Sequence, residues 1–156
     1  MTGESDGYRQ LGQGFYWQEI QNGDRFRTRR RLVTESDLVN FIGVTGMLEE
    51  LFVDPGHGGI IAGRLVPAAL TYSLIEGLIF QTMIQGTGLA LLDVAMKAVK
   101  PVRVGDTISA TIEITAVKPT KAGNHAVVAS DVAISNQDGD VVLTYQVTRM
   151  LAGRPE

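Results

Sequence analysis

Between Leu65 and Leu92 the chain carries one charge, Glu76, and this apolar stretch constrains the fold more than any other feature. Pro67 suits the first position of a helix. Behind it Leu70, Leu74 and Leu78 form an i, i+4 row, with Ile75 and Ile79 beside it and Phe80, Met83 and Ile84 widening the stripe. The spacing predicts a helix over residues 67–85, apolar nearly all round, which must be enclosed. A membrane span is the rival reading. Pro67, Thr71, Ser73, Glu76, Gln81 and Gln85 argue against it, because they interrupt the run of about 18 apolar residues that a span requires.

After Gly88 the period changes from helical to alternating. Leu89–Val99, Asp106–Val117, His125–Ser135 and Val141–Met150 are rich in Val, Ile, Thr and Ala and predict four strands. Asp138-Gly139 has the composition of a tight hairpin turn. Four strands in succession favour an antiparallel meander, and one buried helix before them gives a sheet wrapped around a helix, an α+β class. Ahead of the helix, Asn22-Gly23-Asp24 is a turn signal that opens a strand over Arg25–Val33. Thr34, with Asp37 three residues on, reads as the cap of a short helix over 35–43, ended by Gly43 and Gly46. Residues 1–14 are polar and Gly-rich and read as a loose arm.

The bulk numbers narrow the function classes. One domain is the expectation for 156 residues. A net charge of −3 argues against a nucleic-acid partner held by a basic field. Cysteine is absent, which excludes disulfides and thiolate metal sites, and the two histidines have no organised acidic partners, so no metal site is expected. The opening residues show neither a basic nor an apolar signal region, so a cytoplasmic protein is expected.

Three segments together resemble the MaoC-like hydratases, the family of R-specific enoyl-CoA hydratases, which have the hotdog fold. Residues 45–55 read Thr-Gly-Met-Leu-Glu-Glu-Leu-Phe-Val-Asp-Pro, where the family pattern is Thr-Gly-Asp-x-Asn-Pro-x-His-x-Asp-Pro. Gly63-Arg64-Leu65-Val66-Pro67-Ala68 is similar to the family's entry into the central helix. Pro101-Val102-Arg103-Val104-Gly105-Asp106 is similar to its entry into the meander. The resemblance implies a single hotdog domain and an acyl-CoA or acyl-carrier thioester as substrate or ligand, with no separate cofactor. It also implies a homodimer or larger homo-oligomer with ligand sites between protomers. The thioester carbonyl would lie at the amino end of the central helix, on the N–H of Ala68, since Pro67 has none. Free N–H groups and the macrodipole favour negative charge there.

The family's Asp and His carry the acid/base chemistry of hydration. Here Met47 and Phe52 stand in their places, and neither transfers protons. Met47, Phe52, Arg64, Pro67 and Ala68 are the expected substrate-binding set, although Met47 and Phe52 also fit a plain core role, Pro67 and Ala68 the plain start of a helix, and Arg64 could bind either an acidic acyl group or a nearby Glu. The substitute acid/base candidates are Glu49, Glu50 and His57, the last on a glycine-rich loop; exposed loop positions are the plainer alternative for all three. Asp54 is expected to accept backbone N–H bonds ahead of Pro55. Glu76 is about 13 Å along the helix from Pro67, which suits a structural role better than attack on a carbonyl at Ala68. Arg25, Arg27, Arg29 and Arg31 would share one strand face, fit either to grip CoA phosphates or to protect an edge. Activity itself stays open between a hydratase or dehydratase with a replaced dyad, a non-catalytic acyl-CoA binder or inactive partner subunit, and a thioesterase.

Overall fold

The computed structural model describes residue 8, residues 10–121 and residues 123–156. Strands β1 (Arg25–Arg27) and β2 (Arg31–Leu32) lead into α1 (Glu35–Thr45) and the single-turn α2 (Glu50–Val53). Helix α3 (Ala68–Thr82) follows, then β3 (Gly88–Ala98), β4 (Thr107–Pro119), β5 (His125–Ser135) and β6 (Val141–Ala152). All strand pairs are antiparallel, in the order β1-β4-β5-β6-β3, with β2 also on β4.

Alternation turns Ile108, Ala110, Ile112 and Ile114 of β4, Val128, Val132 and Ile134 of β5, and Tyr145, Val147 and Leu151 of β6 inward. Leu70, Ile75 and Ile79 of α3 pack against them, so the sheet wraps the helix as expected. Each such aliphatic side chain contributes about 1.5–3 kcal/mol by leaving water. The enclosure of α3 is incomplete within one copy. Phe80 is 51% exposed, and every residue of the neighbouring edge strand β3 is exposed.

Several boundaries correct the sequence reading. The meander has three strands, because β3 lies beside β6 at the far edge rather than beside β4. The β3–β4 connection is instead drawn to the start of α3: the Val66 N–H bonds to the Val102 carbonyl at 3.0 Å and the Val104 N–H to the Arg64 carbonyl at 2.9 Å. The single strand expected over Arg25–Val33 is two. Thr28 interrupts it by accepting the Ala110 N–H on its hydroxyl at 2.9 Å. The pairing slips by one residue, from Arg27↔Thr111 to Arg31↔Ile108, so Arg31 leaves the face that Arg25 and Arg27 share. Gly43 lies inside α1, and Gly46, at φ 75°, caps it. Pro67 is the cap of α3 rather than its first residue.

Of the arm expected at 1–14, residues 1–7 and 9 lie outside the described residues. Its end is pinned. The Gly14 N–H bonds to the Gln85 carbonyl and the Phe15 N–H to the Met83 carbonyl, both at 2.8 Å. A Cβ on Gly14 would come within 2.6 Å of the Met83 carbonyl oxygen, so only glycine allows this approach.

Candidate functional site

The three segments singled out in the sequence meet in one corner, at the amino end of α3. Backbone pairing joins Arg64–Val66 to Val102–Val104, and the Arg103 Nε donates to the Ala62 carbonyl at 2.7 Å. Arg64 ties the third segment in. Its Nη2 meets Glu35 of α1 at 2.8 Å, and its Nη1 donates to the Phe52 carbonyl. The guanidinium beside Glu35 lowers that carboxyl's pKa. Arg64, expected to bind ligand, is thus engaged within the chain, holding the 45–63 loop against α1.

Two adjoining cavities occupy this corner and share Ile61. One, of about 280 Å³, is walled by Val66, Val99 and Leu143 and reaches Ala68 and Thr71 of α3. The other, of about 270 Å³, runs along the loop past Asp54, His57 and Gly63. Pro67 supplies no side-chain cap, so the Ala68 and Ala69 N–H groups have no partner within the helix, and Ala68 lines the first cavity.

The substitute acid/base candidates separate. His57 Nδ1 lies 3.4 Å from a Glu50 carboxylate oxygen, and His57 lines the loop cavity. Glu49 is exposed and turns back to accept the Glu50 N–H at 3.1 Å, capping α2. Met47 is 42% exposed and lines neither cavity, which removes the core reading for it. Phe52 is half-buried and packs against the core. Asp54 accepts the Gly56 N–H at 2.8 Å, the local role expected of it. Among the described residues no group of three or more His, Asp or Glu side chains is arranged to hold a metal ion.

Glu76 takes the structural role expected of it, but its partners, and a second feature, escaped the sequence reading. Glu76 is buried in α3 and held bidentately by Arg149 of β6, at 2.6 and 2.8 Å, and by the Tyr145 hydroxyl at 2.6 Å. Burial, and then the Glu76 charge, push the Tyr145 hydroxyl's pKa well above the ordinary phenol value, so it stays protonated and donates. Tyr72 packs edge-on to Tyr145 at 5.0 Å, with its own pKa raised by burial. The signal for this network was the single charge in an apolar helix. The second missed feature is Thr71, whose buried hydroxyl has no hydrogen-bond partner among the described residues.

A six-stranded antiparallel sheet wrapped over a central helix defines a hotdog-fold protein. The chain belongs to the FAS1-like, dehydratase domain region family, whose pattern matches residues 20–145. It is 25% identical over 108 residues to an (R)-specific enoyl-CoA hydratase of Rhodospirillum rubrum, covering 68% of this chain and 74% of that protein. In structure it matches a MaoC-like dehydratase of the same organism, with TM-score 0.81 and 20% identity over 92% of this chain and all of the other. The R-hydratase PhaJ1 of Pseudomonas aeruginosa matches with TM-score 0.74 and 22% identity over 90% of this chain and 88% of that one. The likeness to the solved structures is a likeness of fold; the family match, with the hydratase relative, bears out the MaoC-like resemblance. No described helix is long and apolar enough to cross a membrane.

Proposed function

We propose that this hotdog protein of the dehydratase and enoyl-CoA hydratase-like class binds an acyl thioester, of CoA or an acyl carrier, at the amino end of α3. In this reading its hydration chemistry is reduced by replacement of the family's acid/base pair. The observation that carries the proposal is the meeting of all three family-like segments around the uncapped start of α3, with a cavity at that point. A thioester carbonyl there would accept the Ala68 N–H, and the helix end favours charge developing on its oxygen.

Adding water to an enoyl thioester needs one group to activate the water and one to protonate the α-carbon. Met47 and Phe52 do neither. On the loop side, past Ile61, the ionisable pair is Glu50 with His57, and at the α3 end it is Lys100 with Asp140, 3.2 Å apart. General acid/base help contributes about 10²–10⁴-fold per group, so standard R-specific hydration of crotonyl-CoA is expected to be very weak or absent. The exposed setting of Glu50 and His57 favours a second reading, a non-catalytic thioester binder or a partner subunit. A thioesterase driven by the helix carboxylate is disfavoured, because Arg149 and Tyr145 occupy both oxygens of Glu76.

The resemblance also calls for a second copy of the chain, and we place it along β3. Leu89, Leu91 and Leu92 are about half exposed on this unpaired edge, next to the exposed Phe80. An uncovered apolar edge strand is a ready pairing surface.

Mixing the protein with crotonyl-CoA, with enoyl absorbance and free thiol followed in parallel, separates these readings. Loss of absorbance means hydration, thiol release means hydrolysis, and silence in both with measurable binding means a binder. Turnover near the enzyme median of about 10 s⁻¹ would refute the dyad assignment. Glu50→Gln and His57→Ala would then show whether that pair has taken over. A failure of every CoA ester and acyl-carrier ester to bind would sink the thioester reading itself.

A further inference from the structure

Arg25, Arg27, Arg29 and Arg30 put four of the chain's 14 basic residues within six positions, in a protein whose net charge is −3. All four are exposed. Arg25 lies 3.5 Å from Glu113, a loose surface pair. Arg27, Arg29 and Arg30 make no ion pair among the described residues. Arg31 shows the contrast, because both carboxylate oxygens of Asp37 hold its guanidinium, at 2.8 and 2.9 Å. Crowded like charges without counter-charges repel one another, so a strip that persists calls for a reason.

Edge protection accounts for the first two at most. β1 is three residues long, and charges on a short edge strand guard it against stray pairing. Arg29 and Arg30 belong to no strand and guard no ladder. Nor does the strip have the form of a clamp for the phosphates of one nucleotide, which draws its donors to a point. Positions 25 to 30 run over about 17 Å of extended chain, and Arg25 and Arg27 line a surface recess of about 350 Å³ with Thr111. The strip also leads to the corner that holds the cavities. Three residues past Arg30, about 10 Å on, Val33 donates to the Asp106 carbonyl and accepts the Gly105 N–H, both at 2.8 Å. Val102–Val104, just before that turn, pair with Arg64–Val66 at the entry to α3.

We propose that the arginine strip docks an acidic protein that carries the thioester, so that the acyl group reaches the cavity on a protein carrier rather than on CoA. This rests on the thioester reading above. Carboxylates three or four residues apart on a helix lie about 5–6 Å from each other. Alternate residues of a strand, such as Arg25 and Arg27, lie about 6.6 Å apart, so an acidic helix face meets successive guanidiniums along the strip. Pairs of this kind stay at the rim of an interface, where each contributes modestly and acts on encounter rate and salt dependence. Removing three of them should weaken the complex about tenfold.

Calorimetric titration of the full chain with three crotonyl esters tests this: that of a strongly acidic acyl carrier protein, that of CoA and that of pantetheine. The variants are a triple Gln chain (Arg27→Gln, Arg29→Gln, Arg30→Gln) and a triple Lys chain at the same positions. The wild type should bind the carrier ester about tenfold more tightly than the pantetheine ester. The triple Gln chain should lose that advantage and bind the other two esters as before, while the triple Lys chain should keep most of it. Salt at 0.5 M should reproduce the loss in the wild type, since it screens exposed charges beyond a few ångströms. Equal weakening of the carrier and CoA esters would assign the strip to phosphate groups and overturn the proposal. So would unchanged binding of the carrier ester by the triple Gln chain, which marks a plain solvated strip, or weakening of all three esters with a lower melting temperature, which marks a structural one. A wild type that binds the CoA and pantetheine esters but not the carrier ester overturns the docking and leaves the thioester reading standing. If no ester binds the wild type, both fall together.

Discussion

Replacing Glu76 with Ala should be among the most damaging single changes this fold can suffer. Glu76 and Arg149 are 5% and 8% exposed, so both charges are out of water and depend on each other. Three short bonds meet on the carboxylate, two from Arg149 and one from the Tyr145 hydroxyl. Glu76→Ala strands a buried cation and a buried hydroxyl together. Breaking such a pair from one side costs about 3–5 kcal/mol. For a domain of this size each kcal/mol moves the melting point by about 2–4 °C, so a fall of roughly 10 °C or more is expected. Contact of Arg149 with the Phe80 ring, at 6.0 Å, is too long to hold the cation in place alone. Removing both charges should be far milder. Glu76→Leu with Arg149→Met is expected to recover most of the loss, since well-packed apolar replacements of buried ion pairs are often neutral. Urea denaturation at one fixed protein concentration reads all of these variants. A loss below about 1 kcal/mol for Glu76→Ala, or a double variant as poor as the single, would show that the pair is hydrated or replaceable and would refute the reasoning.

Other elements give smaller, equally specific effects. The Arg31 guanidinium, with the Thr34 cap, holds the Asp37 carboxyl down at about 2 from its ordinary 3.8. Because the folded value is depressed, its contribution is full above the unfolded value and is lost as pH falls through about 2. That contribution amounts to at most about 2 kcal/mol, and Asp37→Asn should lower stability at neutral pH and flatten the acid limb of a pH–stability curve. Arg64→Ala should cost about 1–2 kcal/mol and speed amide hydrogen exchange in residues 50–63; unchanged exchange there would mean that Arg64 does not anchor the loop. In solution the chain should run at twice its 16.8 kDa mass by light scattering, and Leu91→Lys should shift it toward the monomer. A wild-type monomer at micromolar concentration would count against pairing along β3.

Local signals carried most of the fold. The i, i+4 row from Leu70 placed α3, and alternation placed the later strands, with β5 at His125–Ser135 as expected. What failed was non-local. Nothing in residues 89–99 says that β3 pairs with β6 rather than with the next strand; the pairing of Val102–Val104 with Arg64–Val66, just ahead of α3, accompanies that choice. Arg149 lies 73 residues from Glu76, so the need for a partner was legible in the lone charge while the partner was not. The strand over Arg25–Val33 broke at Thr28 because a side-chain oxygen replaced a ladder acceptor, a choice that propensity does not reveal. At the site, the motif segments pointed to the right corner. They allowed Arg64 a Glu partner but could not say that it is Glu35, with the Phe52 carbonyl besides, or that the Thr71 hydroxyl has no partner in its helix.

The corner also explains how a family frame can persist where the proton-transferring pair does not. Its geometry depends on backbone devices: Gly46 at φ 75°, Gly63 at φ 100° and the Asp54 turn. A Cβ on Gly63 would approach the Arg103 Nε to 2.8 Å and displace that side chain, but it is the positive φ that calls for glycine here. At position 52 Arg64 binds the carbonyl, which every residue type possesses. Met47 is 42% exposed, and its backbone N–H donates to the Thr45 hydroxyl at 3.4 Å. The hydrogen bonds that shape the loop therefore do not depend on the side chains at positions 47 and 52. Exchange of an acid/base pair for Met and Phe can leave the frame intact while removing its chemistry, so frame residues report the fold of this corner and only its ionisable side chains report a reaction. Here those are Glu50 and His57, 3.4 Å apart, with Asp54 on the same loop side of Ile61, and Lys100 at the helix end. Any proton transfer at the α3 end of the cavity must therefore draw on Lys100, which Asp140 holds, cross the Ile61 side chain, move the loop, or use a group that a second copy brings.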